Sequence, residues 1–118
     1  MNACDVLLMT SLWEGSPNVV KEAMACDVPI VSVPVGDVPE LLDGVEGCAV
    51  RPRDPRALGD ALVEVLARRE HPPTRAALVR KGLAMESVAR RVLGIYRDVL
   101  GRCQGSPRRR RVRRPCAA

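Results

Sequence analysis

Apolar residues along the chain alternate between short unbroken runs and longer stretches with helical spacing. Residues 5–9, Asp-Val-Leu-Leu-Met, form the kind of continuous run that marks a strand buried on both faces. Residues 10–16 read as a loop. Ser16 then stands where a helix cap belongs, with Pro17 as the first helical residue, a position that needs no N–H. The helix is expected to run to about Cys26, with Val19, Val20, Ala23, Met24 and Ala25 giving it an almost wholly buried character. Asp27-Val28-Pro29 breaks it, and residues 29–33 predict a second strand apolar on both faces.

Residues 34–37 form a loop and residues 38–42 a short helix. Gly44 and Gly47 punctuate the turn into a third strand at residues 48–50. Asp54, followed by Pro55, predicts the start of a helix to about Arg69, with Leu58, Ala61, Leu62, Val65 and Leu66 on one face. His71-Pro72-Pro73 ends it. Two amphipathic helices follow over about residues 74–84 and 86–100, the second carrying Val88, Val92, Leu93, Ile95, Tyr96 and Leu100. Strands alternating with helices imply an α/β fold with a parallel sheet and right-handed crossovers. There are no internal repeats.

The 118 residues allow one domain at most. With no Phe, one Trp and one Tyr, the core must come from Val, Leu, Ile, Ala and Met. That composition fits helices on a parallel sheet better than a sandwich built on aromatics. The net charge of +5 is unevenly placed, since residues 102–118 hold seven Arg and no acid. Residues 1–101 therefore carry twelve basic against fourteen acidic side chains, and nothing there reads as a nucleic-acid footprint. The expected division is a folded part at 1–101 and an Arg-rich, disordered tail at 102–118.

Five cysteines, at positions 4, 26, 48, 103 and 116, form no short pair. No C-x-x-C suggests zinc or dithiol chemistry, and Cys4, Cys26 and Cys48 are expected to be small buried thiols. With no secretory signal and no apolar run of ~18–20 residues, the expected location is cytoplasmic.

The candidate chemistry lies around the first helix. Glu14 and Glu22 have seven residues between them and bracket the turn into that helix, where unpaired N–H groups and the macrodipole favour an anion. A carboxylate on each side of an anion site suits a ligand with phosphate in the middle and hydroxyls at both ends. A nucleotide-diphosphate sugar has that layout. Lys21 is a candidate phosphate partner, although a solvated helix face is the simpler expectation. Trp13 is expected to serve packing rather than substrate stacking, with contact to the ligand left open by its place beside Glu14, and His71 to be a loop residue without a partner. Gly36 and Asp37 follow the second strand on the carboxyl side, where open α/β sheets bind ligands, and are weaker site candidates for which a structural turn is an equal alternative.

Residues 3–100 resemble the C-terminal portion of a family-4-like retaining glycosyltransferase with the GT-B fold (glycosyl transferases group 1), in truncated form. The resemblance is carried by Ala3-Cys-Asp-Val-Leu-Leu-Met and by Ser11-Leu-Trp-Glu-Gly-Ser-Pro-Asn-Val-Val-Lys-Glu-Ala-Met-Ala-Cys. It continues through Pro29-Ile-Val-Ser, Val35-Gly-Asp-Val-Pro-Glu-Leu-Leu, Gly44-Val-Glu-Gly and Asp54-Pro-Arg-Ala-Leu, in the family's order and spacing. It implies a partial Rossmann-like, donor-binding domain of about three parallel strands at 1–101. It also implies transfer of a sugar from a nucleotide-sugar donor to an acceptor hydroxyl with retention, without metal or other cofactor.

On that pattern Glu22 would accept from the ribose hydroxyls and Glu14, the candidate catalytic residue, would orient the donor sugar. Gly15, Ser16, Asn18 and Val19 would meet the phosphates through their backbone. Pro17 departs from the glycine often found at its position. On the same pattern the family's N-terminal acceptor domain is expected to be missing, as are the first strands of the donor domain with their phosphate-neutralising basic residues. The strand at 5–9 is then expected to present an unpaired edge, and the chain to be a fragment inactive alone. An alternative is a non-catalytic binding or assembly module whose basic tail docks on an acidic partner. The tail is a weaker candidate for contact with anionic lipid or nucleic acid, which would make the protein peripheral at a membrane.

Overall fold

The computed structural model describes residues 1, 3–68 and 71–105. The elements run β1 (Leu7–Met9), α1 (Asn18–Ala25), β2 (Ile30–Ser32), α2 (Val38–Leu42), β3 (Ala49–Val50), α3 (Pro55–Ala67), α4 (Thr74–Arg80) and α5 (Met85–Gly105). They fall into two units, Met1–Ala84 and Met85–Ala118. The first is the expected α/β fold, a parallel three-stranded sheet in the order β1-β2-β3 with helices around it.

Position in the sheet decides burial. Central β2 is buried at all three residues, and Leu7, Leu8 and Met9 of β1 register against Ile30, Val31 and Ser32. Among the described residues β1 pairs only with β2, so it lies at the edge of this sheet. Only Met9 of β1 is buried and Leu8 is 44% exposed, which corrects the expectation of burial on both faces. Each of the strands is shorter than its apolar run, because pairing partners rather than hydropathy set the ends.

The core is built from Val20, Ala23 and Met24 of α1 with Ile30, Val31 and Val38, all fully buried. Fully burying the Val, Ile and Met side chains among them stabilises by roughly 1.5–3 kcal/mol each. Val19 is half-buried and Ala25 exposed, so α1 buries one stripe rather than its whole circumference. In α3, Leu58, Ala61 and Val65 are buried, whereas Leu66 turns to solvent. Asp54 caps α3 by accepting from the Ala57 N–H at 2.8 Å.

The C-terminus of α1 is tied to α4. Val28 N–H donates to Ala23 and Asp27 N–H to Met24, the paired bonds that close a helix on a left-handed residue. That residue is Asp27, at φ 55°, where glycine is usual. Its carboxylate accepts from the Arg75 N–H at 2.8 Å, in the first turn of α4. The buried Thr74 hydroxyl donates to the Met24 carbonyl at 3.0 Å. His71 has a partner after all, its Nδ1 lying 3.1 Å from the Asp27 carbonyl.

Helix α4 ends at Arg80, earlier than its apolar pattern suggests, because Gly82 at φ 68° closes it by the same pair of bonds, from Gly82 to Val79 and from Leu83 to Leu78. In the second unit α5 extends through Gly105, so residues 102–105, counted with the tail from sequence, are helical. The Arg run at 108–114, with every expectation attached to it, lies outside the described residues. Cys4 is exposed and Cys26 and Cys48 are half-buried, which corrects the expectation of three buried thiols. Burial raises the Cys48 thiol above its ordinary pKa, partly offset by a backbone hydrogen bond involving Ile30. No described helix is long and apolar enough to cross a membrane.

Candidate functional site

Parallel strands place the loops that follow β1, β2 and β3 at one edge of the sheet. All the candidate residues lie on the first two of those loops and on α1. The loop after β2 closes on the loop after β1 through backbone: Asp37 N–H donates to the Gly15 carbonyl at 3.0 Å. This approach requires Gly36. It sits at φ 54°, and a Cβ there would lie 2.9 Å from the Glu14 carbonyl oxygen and closer still to that of Gly15. Gly36 and Asp37, the weaker candidates from sequence, therefore form the floor against which Glu14, Gly15 and Ser16 are held.

Gly15 differs. A Cβ at Gly15 would meet nothing within 4 Å. The protein leaves that space open, so any demand for glycine at 15 comes from what approaches the loop from outside.

Helix α1 starts one residue later than the sequence suggests. Pro17, with φ −65° and ψ 122°, is its N-cap, and no side chain caps it. Ser16 is not the cap because its hydroxyl is engaged elsewhere: it donates to Asp37 Oδ2. The first-turn N–H groups, from Asn18 onward, have no acceptor within the helix. Asn18 is exposed and Val19 half-buried against the core. Glu14 and Glu22 are both exposed, on the loop before α1 and within α1. Pro17 is buried and shapes the turn between them.

Lys21 departs from the expectation of a solvated helix face. It is half-buried, and its ammonium donates to Ser16 Oγ at 2.6 Å and to the Ser16 carbonyl at 3.3 Å. Asp37 Oδ1 is buried with no hydrogen-bond partner among the described residues. An unpaired buried acceptor costs about 1–3 kcal/mol, so the carboxylate is held here at the expense of stability. Trp13 is 91% exposed, which overturns its expected packing role, and Leu12 beside it is also exposed.

Arg53, given no role from sequence, ties in the third loop. Its guanidinium donates to the Thr10 carbonyl at 2.6 Å and to the Ser11 carbonyl, anchoring the base of the loop that carries Glu14. The partners are backbone oxygens of a distant segment, so no residue pattern announces the contact. Among the described residues no group of three or more His, Cys, Asp or Glu is arranged to hold a metal ion. The cleft lined by Leu42, Asp43, Val45 and Cys48 includes none of the candidate residues.

Residues 1–68 match the model of a family described as glycosyl transferases group 1. A D-inositol 3-phosphate glycosyltransferase of Geodermatophilus obscurus is 42% identical over 69 residues, covering 58% of this chain and 15% of that protein. A putative teichuronic acid biosynthesis glycosyltransferase of Bacillus subtilis is 35% identical over 60 residues, 51% of this chain and 15% of that protein. A D-inositol 3-phosphate glycosyltransferase of Mycolicibacterium vanbaalenii is 38% identical over 77 residues, 64% of this chain and 17% of that protein. No solved structure matches. The chain thus spans about a sixth of the length of these relatives.

Proposed function

The chain belongs to the glycosyl transferases group 1 family, and on that premise we propose that its three carboxyl-edge loops form part of the donor site of a retaining glycosyltransferase. The donor is a nucleotide-diphosphate sugar and the acceptor a hydroxyl. The observation that carries the reading is the approach of Gly36-Asp37 to Glu14-Gly15-Ser16 at the mouth of α1. It holds the loop and the first turn of α1, whose N–H groups lack acceptors within the helix, between two exposed carboxylates.

In this reading the diphosphate lies against the N–H groups of Gly15, Ser16, Asn18 and Val19, where the helix dipole favours negative charge. Pro17 contributes no donor. Glu22 accepts from the two ribose hydroxyls, one to each carboxylate oxygen. Glu14 orients the sugar by accepting from its hydroxyls, beside the anomeric carbon that is attacked. The open space over Gly15 is where the phosphates come close to backbone. The acceptor is read outside these three loops, and transfer by this chain alone is not expected. The reading places the protein in the cytoplasm, where nucleotide sugars are held. Calorimetric titration of Glu22→Ala with UDP and GDP tests the ribose assignment: affinity about tenfold weaker supports it, and unchanged affinity refutes it.

A further inference from the structure

Three side chains form a relay between the loop after β2 and the first turns of α1. Asp37 accepts the Ser16 proton, and Ser16 accepts from Lys21. A serine hydroxyl has one proton to give and lone pairs to receive. Committing that proton to a carboxylate turns the oxygen's lone pairs toward the ammonium. The ammonium has three donors and no acceptor. Two bonds to Ser16 fix its position and leave a third N–H for a ligand. A lysine that served only to solvate its helix would keep its rotamer freedom rather than fold back along α1.

We propose that Lys21 is a cation for the donor's diphosphate, and that Asp37, acting through Ser16, is the residue that positions it. The inference rests on the donor-site reading above. The helix dipole supplies only about half a positive charge at the N-terminus of α1, short of what a diphosphate carries. Glu14 and Glu22 flank the same turn and raise the need for a positive group there. Lys21 adds a full charge, held in place before the ligand arrives. With Asp37 Oδ1 buried and unpaired, the carboxylate presents its other oxygen to Ser16.

The test is calorimetric titration of the full chain with UDP and GDP, and with uridine and guanosine, at low and high salt. Lys21→Ala is expected to weaken the diphosphates about tenfold, to flatten their salt dependence and to leave the nucleosides unchanged. Ser16→Ala and Asp37→Ala weaken the diphosphates in the same direction and add little to Lys21→Ala, while Lys21→Arg retains part of the affinity. Thermal melts of each variant confirm that the fold persists. Asp37→Ala also separates positioning from plain charge: a carboxylate that only repelled the anion would give tighter binding when removed, and that result overturns the proposal. Equal affinity of wild type and Lys21→Ala for the diphosphates overturns it too, while leaving the donor site intact. A wild-type chain that binds neither diphosphate nor nucleoside overturns the donor-site reading, and the lysine assignment with it.

Discussion

The backbone N–H of Asp37 donates to the carbonyl of Gly15 at 3.0 Å, joining the loops that follow neighbouring strands β1 and β2. Hydrogen bonds from Ser16 to Asp37 and from Arg53 to Thr10 and Ser11 extend the joint across all three carboxyl-edge loops. The edge is thereby a braced surface, on which the position of Glu14 is set by residues from two other loops.

Gly36 and Gly15 predict opposite behaviour. Gly36→Ala puts a Cβ into a left-handed position and against two carbonyl oxygens, so it should destabilise by at least the ~1–3 kcal/mol of backbone strain. Gly15→Ala meets nothing in the protein and should leave the melting temperature unchanged while weakening UDP or GDP. Thermal melts with and without nucleotide separate the two effects.

The joint between α1 and α4 gives a second prediction. Thr74→Val keeps the shape of a buried side chain but removes its hydrogen bond to Met24. The expected loss is about 1 kcal/mol, read from urea unfolding. An unchanged midpoint would mean that the hydroxyl contributes nothing there.

Asp27 combines a strained backbone with a useful carboxylate. Asp27→Gly relieves the left-handed strain, about 1–2 kcal/mol, but loses the acceptor for Arg75, so the two effects nearly cancel. Asp27→Ala loses the acceptor and keeps the strain. Its unfolding midpoint should fall clearly below that of Asp27→Gly.

Much of the fold was legible because the elements start or stop at residues with their own backbone logic: Pro17, Pro29, Gly44, Pro55. The edge exposure of Leu8 was not, since hydropathy does not say which strand has two neighbours. Ser16 looked like a cap because capping is what a serine before Pro-Asn-Val does locally. The partner that won, Asp37, lies on another loop. The early end of α4 was hidden by Leu83 and Ala84, which continue the apolar pattern past the glycine that closes the helix. Glu14, Glu22 and Lys21 could be named as candidates from the sequence, whereas the contacts of Ser16 with Asp37 and of Arg53 with Thr10 and Ser11 exist only once distant segments meet.

The Cys48 thiol carries a pH prediction. Its pKa is raised from 9.0 by burial, so the folded state holds this proton to higher pH than the unfolded state. The stabilisation is complete below pH 9 and is lost as pH rises through the folded value. Alkylation should modify the exposed Cys4 before Cys48 at pH 8–9. Mass spectrometry of the labelled chain checks the order, and equal rates would contradict it.

The donor-site account is tested most directly by amide NMR spectra of the full chain titrated with UDP and GDP. It predicts a dispersed spectrum in which the shifts cluster at residues 15–22 and at Gly36 and Asp37, spreading through the joint between the two loops. A dispersed spectrum that neither nucleotide perturbs at those residues would contradict it.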